Sequence, residues 1–395
     1  MLLDAAPPST PLPLLAKGFR PFFLLAALCS VLTVVLWLGV LRGVVAPPGY
    51  LDPVTWHAHE MLLGFSTAVV AGFLLTAVGN WTQRETATGA WLAALALLWL
   101  SGRLALWFGG ELPRGVPAII DLAFVPALAW TLARPLIAAK SWRNFVMLAI
   151  VAGLFAGNLA VHAEALGLLG RGASQRASRI SVDLLVLLMS VIAGRVIPMF
   201  TRNATGVAAI RSNQALDVAT NAALFALVIV DVAALDVPVA SSLAGLAGVL
   251  AAARALRWGA RYTRREPLLW ILHAGYGWLV VGLLLRAHGG LVGAATASSA
   301  THAITAGAVG SLTLGMMARV SLGHTGRMLA APRPMGLAFL LITLAAVSRV
   351  VAPLYPALYV SMLSVAAVCW SLAFSLFLFC YLPVLIQPRV DGRPG

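Results

Sequence analysis

The sequence predicts an all-α integral membrane protein of about twelve transmembrane helices with both termini in the cytoplasm. Three observations carry that expectation. Hydrophobic residues make up 61% of the chain and charged residues 10%, with a mean hydropathy of +0.93, against roughly a quarter charged in soluble domains. The 395 residues contain long apolar runs, most close to the about 20 residues that cross a hydrocarbon core. The basic residues collect between those runs on one side.

In chain order, the first run, 19–41, opens beside Lys17 and Arg20 and closes at Arg42. The second and third, 58–79 and 90–108, are separated by Arg84. The fourth, 117–133, follows Arg114, and Arg134, Lys140 and Arg143 introduce the fifth, 144–169. The sixth, 180–200, lies between Arg171, Arg176 and Arg179 and then Arg202, and the seventh, 214–236, follows Arg211. The eighth, 238–257, runs into Arg254, Arg257, Arg261, Arg264 and Arg265; the ninth, 268–287, carries Arg286 at its exit. A short re-entrant segment fits near 290–298, before the tenth run, 298–320. Arg319, Arg327 and Arg333 lead to the eleventh, 335–354, and the twelfth, 357–383, precedes Arg389 and Arg393.

Twelve crossings put both termini and every even-numbered connection on one side. That side carries 18 of the 27 Lys and Arg residues, the other side 6, and Arg103, Arg195 and Arg349 lie within runs. Basic residues favour the cytoplasm, so the bias predicts cytoplasmic termini. The net charge of +14 sits at the ends of apolar runs rather than on one polar face, which argues for topology and the lipid bilayer and against nucleic acid. Cys29, Cys369 and Cys380 stand singly and read as packing residues rather than a thiolate cluster. Residues 1–395 form one polytopic domain with short disordered tails, about 1–15 and 388–395, and no cleaved signal peptide is expected.

This topology sorts the seven histidines into two levels. His57, His59, His162, His288 and His302 fall toward the outer side, His273 and His324 toward the cytoplasm. His302 and His324 are 22 residues apart, about 33 Å along a helix, so they cannot share one metal. In "WHAHEM", His57, His59 and Glu60 stand together at a membrane edge, where ionisable groups need a polar purpose and neutral imidazole is the commonest transition-metal and haem ligand. The two imidazoles project about 200° apart on a helix, so they address different neighbours or different metals. Below them His57, Met61, Gly64, Ala68 and Gly72 form a stripe suited to helix packing or to a flat macrocycle. His302 stands above a similar surface of Thr305, Gly307, Gly310 and Ser311, as a ligand or a structural group. Asn158, one turn before His162, could orient that ring.

At the inner level, His273 shares a face with Tyr276, itself a relay or an interfacial aromatic. His324 is either solvated or an axial ligand paired with His273, with Arg195, Arg319 and Arg327 available for haem propionates. Arg195 needs a partner inside the membrane, and Asp183, about 18 Å away along the same helix, is too far.

The blocks "KGFRPFFLLAAL" (17–28), "WHAHEMLLGF" (56–65), "AGFLLTAVGNWT" (71–82), "GRVIPMFT" (194–201), "HAGYGW" (273–278) and "HAITAGAVGSLTLGMMARVSLGHTGR" (302–327) resemble the NnrS family of bacterial membrane proteins over nearly the whole chain. The resemblance implies a twelve-helix inner-membrane protein containing haem and copper, linked to nitric oxide metabolism and protection from nitrosative stress. It brings no ligand assignment. From placement, His57, His59, His162 and His302 with Glu60 are the expected outer metal ligands, and His273 and His324, with Arg195 and Arg327, a second cofactor set. Nitric oxide or another diatomic is the expected small partner, with an electron donor left open. The rival readings are a membrane nitric oxide reductase-like enzyme and a twelve-helix secondary transporter using intramembrane charges such as Asp121, Asp183, Arg195 and Asp231.

Overall fold

A computed structural model describes residues 12–292 and 294–393. Twelve helices in it are long and apolar enough to cross a membrane: α1 Phe19–Leu41, α2 Pro53–Thr82, α3 Gly89–Trp107, α4 Val116–Ala138, α5 Trp142–Ala165, α6 Ala173–Thr205, α7 Gln214–Val232, α8 Val237–Ala255, α9 Pro267–Gly289, α10 Ala295–His324, α11 Arg333–Leu354 and α12 Pro356–Ile386. No strand occurs among the described residues. The two ends of the chain meet: Arg20, at the start of α1, donates to the carbonyls of Leu385 (2.9 Å) and Gln387 (2.7 Å) at the end of α12. Arg389 donates to the His324 carbonyl and Val390 N to that of Thr325, so the described part of the C-terminal tail packs on the end of α10. The stretch 290–298 is helical on both sides of Gly293, which lies outside the described residues.

The twelve expected runs correspond to the twelve helices, and the boundary that moves most usefully is that of α2. It starts at Pro53, because the Asp52 side chain accepts from Val54 N and Thr55 N (3.1 Å each) with proline at the first helical position. His57 and His59 therefore lie inside the helix. Directly after them the helix widens into a π-helical stretch, Glu60–Phe65, and α10 does the same after His302, over Ala303–Val309. Hydroxyls take up carbonyls at these wide turns: Ser66 donates to Met61 O (2.7 Å), Thr67 to Leu63 O, and Thr313 to Val309 O (2.7 Å). In α4 the regular helix is interrupted at Ala123, where Pro126 has no N–H for the Leu122 carbonyl.

The small-residue stripes are filled by the protein's own side chains. A Cβ on Gly72 would stand 2.9 Å from the Phe23 ring, one on Gly307 2.6 Å from Trp278, and one on Gly310 2.6 Å from Trp370. These surfaces are helix contacts. Some charges within the membrane are also paired across helices. Arg254 of α8, 1% exposed, donates to Tyr276 Oη (2.8 Å), Asp217 Oδ1 (3.1 Å) and both oxygens of Ser190, tying α6, α7, α8 and α9 together. Arg286 of α9 bridges Asp183 of α6 and Asp231 of α7. Removing one member of a buried ion pair typically costs about 3–5 kcal/mol. Arg286→Met should therefore lower the thermal midpoint read by a thiol-reactive dye reporting on the buried Cys369, and adding Asp183→Leu and Asp231→Leu should restore much of it; an unchanged midpoint in the single variant would contradict the assigned role of the bridge.

Candidate metal centre

At the end of the bundle opposite the termini, α2, α3, α4 and α5 bring five ionisable side chains to one place. Asp121 of α4 is the hub. Its Oδ1 accepts from Arg103 Nη2, while its Oδ2 accepts from Asn158 Nδ2 (2.7 Å) and His162 Nε2 (3.0 Å) and lies 3.3 Å from His59 Nε2. Arg103 of α3 also donates from Nη1 to Glu60 Oε1 (3.0 Å). His59 and His162 are each 1% exposed, Glu60 and Asp121 3%.

Glycines make the room for this cluster. A Cβ on Gly102 would sit 2.8 Å from Asp121 Oδ1, and one on Gly64 2.6 Å from Arg103 Nη1. The wide turn of α2 frees the Gly64 carbonyl to accept from Trp99 Nε1 (3.2 Å), placing the α3 indole beneath the Arg103 guanidinium, 5.7 Å from its ring centroid.

The hydrogen bonds set the imidazole tautomers. The Asp121 carboxylate and the Asn158 carbonyl oxygen only accept, so both Nε2 atoms carry hydrogen in the metal-free site: His162 donates to Asp121, and His59 to Asn158 Oδ1 at 2.8 Å. Tyr50 Oη then donates to His162 Nδ1 (2.9 Å), and the buried His59 Nδ1 has no hydrogen-bond partner. Glu60, Asp121 and Arg103 together carry one unit of negative charge, which in a low-dielectric setting favours a cation beside them.

His59, Asp121 and His162 each offer a donor atom within 4.8 Å of the others. The closest separations, 3.0 and 3.3 Å, match the roughly 3 Å between ligand atoms about 2 Å from one metal. Metal at the Nε2 atoms would move each ring hydrogen to Nδ1. There His162 would donate to Tyr50 Oη and His59 would face Glu60 Oε1, 3.5 Å away, the outer partners that orient ligating histidines.

The expected outer ligands divide between the two sides of α2. His59, His162 and Glu60 join the cluster. His57 turns away and stacks on Trp37 of α1, centroids 4.5 Å apart and planes 5° from parallel. Its titratable neighbours are Arg349 of α11 and His302 of α10. His302 donates from Nδ1 to Ser298 O (2.8 Å), leaving Nε2 for a ligand. His57 Nδ1 and Arg349 Nη1 are buried without hydrogen-bond partners. His288 is exposed. Asn158 orients His59 and Asp121 rather than His162, because their α2 and α4 side chains enter between them.

The inner histidines do not converge. Gly275 of α9 packs on Ser311 and Leu312 of α10, and Gly282 on Ala300 and Ile304, which sets His273 level with residue 313. That is eleven positions, about 16 Å along the axis, from His302 and from His324 alike. His273 Nε2 meets Thr201 Oγ1 at 3.0 Å, and the His324 ring faces Phe19, 5.8 Å between centroids. Tyr276 serves Arg254, Arg195 donates to Asn144 Oδ1 (2.9 Å), Arg319 lies over the Phe200 ring and Arg327 meets Gln387 at 3.4 Å. The inner set is thus spread over separate helix contacts.

Arg103, Asp121 and Tyr50 were not singled out as site residues by sequence reasoning. An arginine and an aspartate inside neighbouring apolar runs, each needing an opposite charge, was the available signal. Burial pushes the Tyr50 phenol up to about 12. Its folded value exceeds the unfolded one of about 10, so its contribution is complete below pH 10 and lost as the pH rises through about 12. The phenolate absorbance of wild type minus Tyr50→Phe should have its midpoint near 12; a midpoint near 10 would place the phenol in water.

Searching curated proteins finds no match. The family described as NnrS protein matches residues 13–389, a span that contains all twelve helices. The chain belongs to the NnrS family, which points to a nitric oxide-related membrane protein.

Proposed function

We propose that the chain is a haem- and copper-carrying protein of the bacterial inner membrane, with cytoplasmic termini, that binds nitric oxide in its metabolism or in protection from nitrosative stress. The observation that carries this reading is the buried His59–Asp121–His162 group, three metal-competent donors at ligand spacing with a surplus negative charge. Imidazole and carboxylate together suit copper, as they do zinc and iron; the haem and copper that the family resemblance implies favour copper here.

The residues present fit both groups. His59, Asp121 and His162 would hold copper, with Glu60, Tyr50 and Asn158 orienting the ligands. On the opposite side of α2, His57 and His302 supply free imidazole nitrogens for haem iron, and the unpartnered Arg349 Nη1 suits a propionate. The helix-packing stripes are filled by Phe23, Trp278 and Trp370, so a macrocycle would not lie along them. Haem, when held there, would supply a ferrous iron able to take a diatomic, and copper would supply a redox partner or a second diatomic site. The chain's own part is to exclude water, fix the imidazoles and neutralise the carboxylates with Arg103. Nitric oxide, being small and apolar, arrives through the hydrocarbon.

Two variants separate the sites. His59→Ala removes a ligand and should weaken copper affinity by more than the roughly 10–100-fold that loss of an outer partner costs, while leaving the haem Soret band. His57→Ala should perturb the Soret band and keep copper. Full occupancy of both groups in both variants would reject the assignment, and loss of zinc or iron in place of copper from His59→Ala would correct the metal.

A further inference from the structure

At the opposite end from the metal centre, the α2–α3 connection, the start of α3 and the last turns of α4 border an open recess of about 700 Å³. Arg84, Glu85 and Thr86 line it from the connection, Trp91 from α3, and Trp130 and Arg134 from α4. We propose that this recess is a binding site for the phosphate headgroup of an anionic phospholipid.

The charge balance comes first. Neither Arg84 nor Arg134 takes part in an ion pair among the described residues, although Glu85 lines the same space. Two guanidiniums and one carboxylate leave the lining one unit positive. Arg84 and Arg134 are both exposed, so their guanidiniums are open to a ligand, unlike Arg103, Arg254 and Arg286, which protein carboxylates engage. A guanidinium fork matches phosphate oxygens two at a time.

The aromatic frame points to a lipid rather than to free phosphate. Trp91 and Trp130 are 47% and 63% exposed, and both stand at the ends of spans, where indoles settle at headgroup depth. Trp91 is held by its Nε1 donating to Thr131 Oγ1 (3.0 Å), and the Arg134 guanidinium lies 5.9 Å from the Trp130 ring centroid. Along α3, Leu97 and Leu100 face outward within the next three turns, a surface against which acyl chains can lie. The recess lies on the arginine-rich side, and basic recesses between spans on the cytoplasmic face recognise anionic headgroups.

The test uses the full chain, delipidated in detergent, with native mass spectrometry after adding equal phosphatidylglycerol and phosphatidylcholine of identical acyl chains. One phosphatidylglycerol should be retained per chain in preference to phosphatidylcholine. The Arg84→Gln, Arg134→Gln double variant should cut that retention about tenfold or more, at roughly 1 kcal/mol per basic residue. An Arg264→Gln, Arg265→Gln variant, the same charge change at exposed positions elsewhere on this side, should leave it intact. Glu85→Gln, at an exposed position with little bearing on folding, should raise it. Equal retention of the two lipids, insensitivity to the Arg84 and Arg134 changes, equal loss in the Arg264 and Arg265 variant, a drop in Glu85→Gln, or displacement of the lipid by millimolar inorganic phosphate would each overturn the proposal.

Discussion

A guanidinium inside a bilayer cannot stand alone, and the arrangement around Arg103 follows from that constraint. Its two amino groups grip Glu60 of α2 and Asp121 of α4, so three helices are joined by one side chain. The grip turns the free oxygen of Asp121 toward α5, where Asn158 and His162 donate to it. The candidate metal centre is therefore held by the same charges that make it costly to bury. An interaction of this kind adds little net stability compared with apolar packing, yet strongly disfavours any arrangement that separates its members. Its value here is geometric: it specifies which faces of α2, α3, α4 and α5 meet.

The same logic runs through the rest of the bundle. Arg254 and Arg286 join α6, α7, α8 and α9, and Arg20 closes α1 onto α12. Several arginines counted toward topology thus also act as fasteners. Arg349 differs. It stands near His57 and His302 with a buried nitrogen that has no partner, which is why that side of α2 reads as a place for an anionic group beside a metal.

Much of this was legible in the chain itself, for identifiable reasons. Apolar length and arginine placement locate twelve helices, since lipid leaves a segment little choice. The one-residue spacing of His57 and His59 already demands two opposite neighbourhoods, and the structure supplies two. What sequence reasoning could not supply is lateral order. Asp121 and Arg103 stood in different apolar runs as isolated charges, and only the packing of α3 against α4, with Gly102 at the contact, makes them one pair. Tyr50 sits in a connection with no periodicity to mark it. His273 and His324 looked like one level because both lie below the midpoint of their helices, whereas the α9–α10 contact sets them eleven positions apart.

The widened turns in α2 and α10 have a consequence for how this architecture tolerates change. Each extra residue accommodated there offsets the rotational phase of the histidine-bearing end from that of the packing end by about 100°. Ligand geometry and interhelical fit can thus diverge independently on either side of the turn. A single deletion within 60–65 or 303–309, restoring the ordinary pitch, would swing the imidazoles off their neighbours while every helix contact below remained in place.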